Sequence, residues 1–277
     1  MIISNYRLIA ACALWGMLGL FSGDVLPADA GPPALQKTPA PVEKPQDLRD
    51  PAALAELKRA TGFLMNQVRL HFKATIAYDV IQKDGQRLQF EKFGEVYLQR
   101  PDRLFADIHL DDGRHRQFWY DGKTLSFAER SKNVYTRIKA PPTIDAMLDM
   151  LEDLFSDPMP LADLLYDDLS PLDKRASEAE VVGDSIVGGR SCSQLAFRGE
   201  TVDWQIWIEQ GQRPLIRKLA ISYREQPEDP QYVAWINEWD FPKSFRAGLF
   251  KFTAPAGSQW VDVLVPKPPV SDKGGQP

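Results

Sequence analysis

From residue 69 to residue 80 the chain alternates. Leu70, Phe72, Ala74, Ile76, Tyr78 and Val80 are apolar, and Arg69, His71, Lys73, Thr75 and Asp79 stand between them. A period of two puts every apolar side chain on one face, the signature of an antiparallel strand covered on a single side. Strand-like runs follow at 88–99, 103–110, 116–120, 124–129, 133–139, 180–187, 191–198, 202–209, 215–224, 231–241, 249–253 and 260–265. Turn pairs separate many of them: Asp84-Gly85, Asp112-Gly113, Asp121-Gly122, Gly188-Gly189 and Gln210-Gly211. Short turns between such runs predict a meander in which sequential strands pair.

Two stretches break the period. Asp50-Pro51 suits a helix start, with a capping carboxylate before a proline at the first helical position. Leu54, Leu57, Thr61, Leu64 and Val68 then recur at helical spacing, which predicts a helix over 51–67. After Pro141-Pro142, Thr143 can cap a second helix that carries Ile144, Met147, Leu148, Leu151, Leu154 and Phe155 on one stripe. Pro158-Met159-Pro160 ends it, and 161–166 reads as a shorter helix. The helices precede and interrupt the strands without βαβ alternation, so the class is mainly β, of the α+β kind. A sheet this long twists and curls. The helical stripes need burial, and the inside of the curl offers it. The expected architecture is a single antiparallel sheet curled into an open half-barrel, its concave face covered by helices.

The ends of the 277-residue chain change this picture only by subtraction. Arg7 precedes the apolar stretch 8–21, and Ala28-Asp29-Ala30 supplies small residues where a signal peptidase reads, so 1–30 is expected to be a signal peptide cut after Ala30. Prolines 32, 33, 39, 41 and 45 mark 31–49 as a disordered tether, 266–277 as a similar tail and 50–265 as one folded domain. Export implies the periplasm. Without the signal a single cysteine remains, Cys192, which excludes an internal disulfide. A net charge of −5 with no basic block argues against a nucleic-acid partner.

Three motifs in order resemble the periplasmic lipoprotein-carrier superfamily, the LolA/LolB-like proteins. They are Gly94-Glu-Val-Tyr-Leu-Gln-Arg100-Pro101 with Leu104-Phe105, then Asp121-Gly-Lys-Thr-Leu-Ser-Phe127 with Asn133-Val-Tyr135, then Phe250-Lys-Phe-Thr-Ala-Pro255-Ala-Gly257. The middle, "APPTIDAML…PLADLLY" and "VDWQIWI…RPLIRKL", looks closer to the predicted periplasmic proteins of domain-of-unknown-function family 2092. The resemblance implies an open barrel whose cavity, in the carriers, holds the acyl chains of a lipoprotein. It also implies that Arg100 reaches helix backbone groups and latches a helical lid, a task suited to a guanidinium with several donors.

Candidate chemistry is sparse. His109 and His115 flank the Asp111-Asp112-Gly113 turn, but their spacing matches no zinc pattern and the turn already explains the aspartates, so no metal ligand is assigned. His71 falls on the polar face of its strand. Cys192 has no base beside it in sequence and reads as a small buried residue. Trp119, Trp204, Trp207, Trp235, Trp239 and Trp260 read chiefly as core, with Trp207 expected to be an exposed aromatic on the convex side. No catalytic residue and no cofactor is expected. The expected function is non-enzymatic binding of a lipid, acyl chain or other hydrophobic molecule. The lining is expected from Phe72, Ile76, Phe90, Leu98, Trp204, Ile206, Leu219 and Ile221 on the strands, with Met147 and Leu151 facing them. The alternative is a cell-envelope interaction or sensor protein that uses the same fold to dock a protein partner. The pattern leaves the oligomeric state open.

Overall fold

The computed structural model describes residues 47–154, 160–169 and 171–262. The expected signal peptide, nearly all of the tether, Phe155, Pro158-Met159, 263–265 and the tail therefore lie outside the described residues. Thirteen strands form one sheet: β1 (Leu48–Arg49), β2 (Arg69–Ile81), β3 (Arg87–Gln99), β4 (Arg103–Leu110), β5 (His115–Tyr120), β6 (Thr124–Glu129), β7 (Val134–Lys139), β8 (Glu178–Val187), β9 (Arg190–Arg198), β10 (Val202–Glu209), β11 (Ile216–Tyr223), β12 (Gln231–Asp240) and β13 (Gln259–Trp260). Among the described residues three helices accompany them: α1 (Pro51–Met65), α2 (Ile144–Leu154) and the single turn α3 (Pro171–Lys174), with 3-10 turns at Arg130–Lys132 and Pro160–Leu165.

The strand order is β1-β8-β9-β10-β11-β12-β2-β3-β4-β5-β6-β7-β13, and the two ends do not meet. The sheet is not closed into a barrel. Neighbours pair antiparallel except at the margins, where β1 joins β8 and β13 joins β7 in parallel. Among the long strands, sequential pairing fails at one place. β7 and β8, which the helices separate, sit near opposite margins, and the two meanders are joined instead by β12 against β2. A second expectation fails at 249–253. Those residues form no strand; Phe250 and Phe252 alternate because they pack with Phe245 and Leu249 on Phe105, Trp119, Tyr97 and Tyr135.

The long strands turn one set of alternate residues to an inner face, where a single core cluster runs from Leu195 and Phe197 on β9 to Leu125 on β6. α1 begins as its sequence dictates, with the Asp50 carboxylate accepting from the Ala52 N–H at 2.8 Å and Pro51 in the first turn. It buries Ala53, Leu57, Ala60 and Leu64 in that cluster and packs on β8 and β10, whereas Val68 lies beyond its end and is exposed. α2 opens with Thr143 Oγ1 accepting from the Ala146 N–H and sinks Ile144, Met147, Leu148 and Leu151 into the same cluster. The outer face carries the aromatic group around Trp119, covered by residues 245–252.

Candidate functional site: an apolar cavity under α2

The inner face of β2, β3 and β4 can be read as rows. Phe72 pairs with Val96, Val96 with Ala106, and Ala106 with Phe118 on β5. The next row is Ala74, Gly94 and Ile108, and the next is Ile76, Lys92 and Leu110. Three small residues, Ala74, Gly94 and Ala106, therefore cluster where large side chains stand on every side. A Cβ built at Gly94 meets no heavy atom within 4 Å. Gly94 has no left-handed backbone to justify it, and glycine inside a strand is unfavourable by about 0.5–1 kcal/mol relative to alanine. What its missing side chain leaves is space.

That space is a cavity of about 130 Å³ with an almost wholly apolar lining. Its floor is the three rows without Leu110. Met147, Leu148 and Leu151 of α2, with Leu161, Ala162 and Leu165 of the 3-10 turn, line it as well. Tyr232 of β12 borders it, buried, its phenol pushed far above the ordinary range by that burial while a hydrogen bond from the Leu161 backbone opposes the shift. Among the described residues of the lining Lys92 is the one charged side chain, and its Nζ lies 5.2 Å from the Tyr78 ring centre and 5.6 Å from that of Tyr232.

Four of the ten expected lining residues border the cavity: Phe72, Ile76, Met147 and Leu151. The other six share the inner face but lie elsewhere. Leu98 is fully buried one row away, paired with Leu70 and Leu104. Trp204 stacks on Phe197 at 3.9 Å, and Ile206, Leu219 and Ile221 are buried in the common core on the half of the sheet where α1 packs. Phe90 is half-buried beyond the cavity, stacked on Tyr78. Alternation assigns the eight strand residues to one face but does not say which half of that face is filled. The apolar pattern counts Ala74 without regard to its size and gives Gly94 and Ala106 little weight, so the gap was missed; the available signal was Gly94 opposite Ala74, with Ala106 one row away on the next strand.

Arg100 stands at the corner after β3. Its Nη2–H donates to the Tyr166 carbonyl, just past the 3-10 turn, at 2.8 Å. Its Nε lies 2.8 Å from Asp167 Oδ1, an ion pair rather than a well-aligned hydrogen bond. Burial pulls the guanidinium below its ordinary pKa, although Asp167 and Asp145 oppose that shift. Around it the segments are cross-tied. The Asp167 N–H donates to Asp145 Oδ1 of α2 at 2.9 Å, the Tyr166 hydroxyl to Asp149 Oδ1 at 3.0 Å, and the Ile144 N–H to the Pro101 carbonyl at 2.8 Å. Burial, with repulsion from Asp167, raises the Asp145 carboxyl against the Asp167 N–H and Arg100.

The remaining candidates are spread out. Cys192 is fully buried, its thiol pushed up by burial. His71 lies on the outer face, nearly buried, stacked on Tyr97 at 4.2 Å with Nε2 2.8 Å from Glu95 Oε1. Trp207 corrects an expectation. It points to the outer face but is only 7% exposed, because Lys218 Nζ covers its ring at 4.3 Å and also approaches Trp235. Among the described residues, Trp260, 56% exposed, is the tryptophan most open to solvent.

A family model described as "Predicted periplasmic protein (DUF2092)" matches residues 53–264. No curated protein matches. Among solved structures, the Mycobacterium tuberculosis lipoprotein LppX is 11% identical, with 70% of this chain and 98% of LppX covered and a TM-score of 0.45. LprF from Mycobacterium bovis is 12% identical, with 76% and 99% covered and a TM-score of 0.46. The Pseudomonas aeruginosa MucA/MucB complex is 15% identical, with 76% and 64% covered and a TM-score of 0.38. Likenesses this distant carry no argument about function.

Proposed function

The chain belongs to the DUF2092 family of predicted periplasmic proteins, and from that premise we propose that it is a non-enzymatic periplasmic binding protein for a hydrophobic ligand, a lipid or acyl chain. The observation that carries this reading is the apolar cavity over Ala74, Gly94 and Ala106. An apolar cavity of about 150 Å³ stays dry and takes up benzene-sized molecules, so 130 Å³ accommodates a short hydrocarbon segment as it stands. A longer acyl chain enters when α2 and the 3-10 turn lift from the sheet.

In this reading those two segments are a lid over the inner face, and Arg100 is its latch, holding the Tyr166 carbonyl and Asp167 beside the end of β3. Phe72, Ile76, Val96, Phe118, Met147 and Leu151 contact the ligand. Each methylene moved from water into the cavity contributes about 0.8 kcal/mol, so affinity grows with the length of chain enclosed. Export through a cleaved signal at 1–30, followed by a proline-rich tether, belongs to the same proposal. The test is native mass spectrometry and lipid extraction of protein purified from the periplasm, with a fluorescent fatty-acid probe. Co-purifying lipid or saturable uptake supports binding; protein that emerges empty and takes up no probe overturns it.

A further inference from the structure

On the face of the sheet opposite the cavity, β4 and β5 bring together Asp107, His109 and His115. Asp107 and His109 are two apart on β4, so both project outward. His109 and His115 are direct partners across the β4–β5 hairpin. The turn between them keeps its own aspartates occupied: Asp112 Oδ1 accepts from the Arg114 N–H, and Asp111 Oδ2 accepts from the Glu91 N–H. Gly113, at φ +84°, supplies the left-handed position that closes the turn.

The two imidazoles stack with ring centres 4.0 Å apart and planes 17° apart. His115 Nε2 lies 2.6 Å and His109 Nε2 3.4 Å from the same oxygen, Asp107 Oδ1. The three donor atoms all lie within 4.8 Å of one another. Asp107 Oδ2 is held elsewhere, accepting from Gln117 Nε2 at 2.8 Å, and Gln117 Oε1 accepts from Arg130 Nε at 2.6 Å. The carboxylate is thus oriented by neighbours that do not compete for an ion, as the outer groups of metal sites do for their ligands.

A His–Asp hydrogen bond explains one imidazole. It does not explain a second ring laid on the first with the same nitrogen turned to the same oxygen. Two imidazole nitrogens and one carboxylate oxygen, carried on paired strands, are the donor set of zinc and related divalent ions, which bind nitrogen and oxygen at about 2.0–2.2 Å. Tetrahedral bonds of that length place ligand atoms about 3.3 Å apart. The His109 contact already has that spacing, and the His115 contact reaches it by a small rotation.

We propose that Asp107, His109 and His115 form a binding site for a first-row divalent transition-metal ion of the zinc class, with water completing its shell. The site does not depend on the hydrophobic-ligand reading. His109 is 56% exposed at its side chain, so the ion exchanges freely with solvent.

The test uses the full chain, stripped with chelator and titrated with Zn²⁺ alone by calorimetry, then with Co²⁺ by visible absorption. One ion per chain is expected, with cobalt bands of a nitrogen–oxygen shell. His109→Ala, at an exposed ring, and Asp107→Asn should each weaken Zn²⁺ binding by at least about tenfold, and Gln117→Leu by about tenfold through lost orientation. His71→Ala, which removes the third histidine, should leave binding unchanged. Thermal melts establish that each variant is folded, and excess Zn²⁺ should raise the wild-type melting temperature but not that of folded His109→Ala. Absence of binding to the wild type at 100-fold molar excess of Zn²⁺, or binding that survives both His109→Ala and Asp107→Asn, would overturn the proposal.

Discussion

Gly94→Leu tests the cavity with two readouts of opposite sign. Truncating a buried leucine to alanine opens a cavity on the order of 150 Å³, so a leucine placed at 94 occupies most of the 130 Å³ above it. The new Cβ starts in open space. Burying the side chain contributes about 1.5–3 kcal/mol, and removing a strand glycine about 0.5–1 kcal/mol. Ordering the leucine costs about 0.5–1 kcal/mol. The variant is therefore more stable than the wild type by about 2 kcal/mol, and its Tm rises by about 4–8 °C for a domain of this size. Ligand affinity falls at the same time. Excluding only three methylenes costs about 2.4 kcal/mol, a loss of roughly 60-fold in Kd. Thermal melts and titration with a fluorescent fatty-acid probe measure both. A lower Tm would mean that the site is already filled; a higher Tm with unchanged probe binding would mean that hydrocarbon binds elsewhere.

Three further outcomes follow from the polar contacts. Arg100→Ala should cost about 2 kcal/mol, the range for hydrogen bonds to charged groups, and speed hydrogen exchange within 160–169, with Arg100→Lys intermediate because it keeps the charge but not the fork. Arg217, only 6% exposed and paired with Glu209 at 2.6 Å, should cost about 2 kcal/mol when changed to alanine, since Glu209 loses its buried partner and keeps only the exposed Arg190. The same change at Arg198, in an exposed pair with Glu178, should cost at most about 1 kcal/mol, and urea melts of the two variants would expose an error in either value. Stability should fall in acid. Burial opposes ionisation at Glu95, Glu129 and Glu209, but hydrogen bonds outweigh it: Tyr97 and His71 at Glu95, Ser131 and Arg116 at Glu129, Arg217 and Arg190 at Glu209. All three are held below the ordinary carboxylate range, so their stabilisation is complete above that range and is lost as pH falls through the lowered folded values. Asp145, raised by burial, runs the other way: it favours folding while protonated, and that contribution is lost as pH rises through its folded value. A urea midpoint that rises between pH 5 and pH 3 would contradict the balance.

Strand positions were legible because alternation is a local property; β4, β6 and β10 fall where the pattern puts them. Pairing between β12 and β2 was not legible, since nothing local distinguishes an edge that meets a distant strand from one that meets its neighbour. The cavity was half legible. Phe72, Ile76, Met147 and Leu151 announce an apolar interior, but whether it is filled depends on volumes summed across strands, where Ala74 and Gly94 decide. The metal site was hidden for a similar reason. Proximity along the chain points to Asp111 and Asp112, whereas strand geometry turns Asp107 toward the histidines. Trp207 misled because an outward direction does not mean exposure when Lys218 lies across the ring.

The union of β12 with β2 also governs how this protein can be made. The Gln231 N–H donates to the Asp79 carboxylate across 152 residues of sequence, so the first long strand synthesised acquires its second neighbour only when nearly the whole domain has emerged. Until then β2 presents an unpaired, half-greasy edge, the kind of surface on which chains associate wrongly. Such long-range closure slows folding, and here it waits on β12, the last of the long strands to be made.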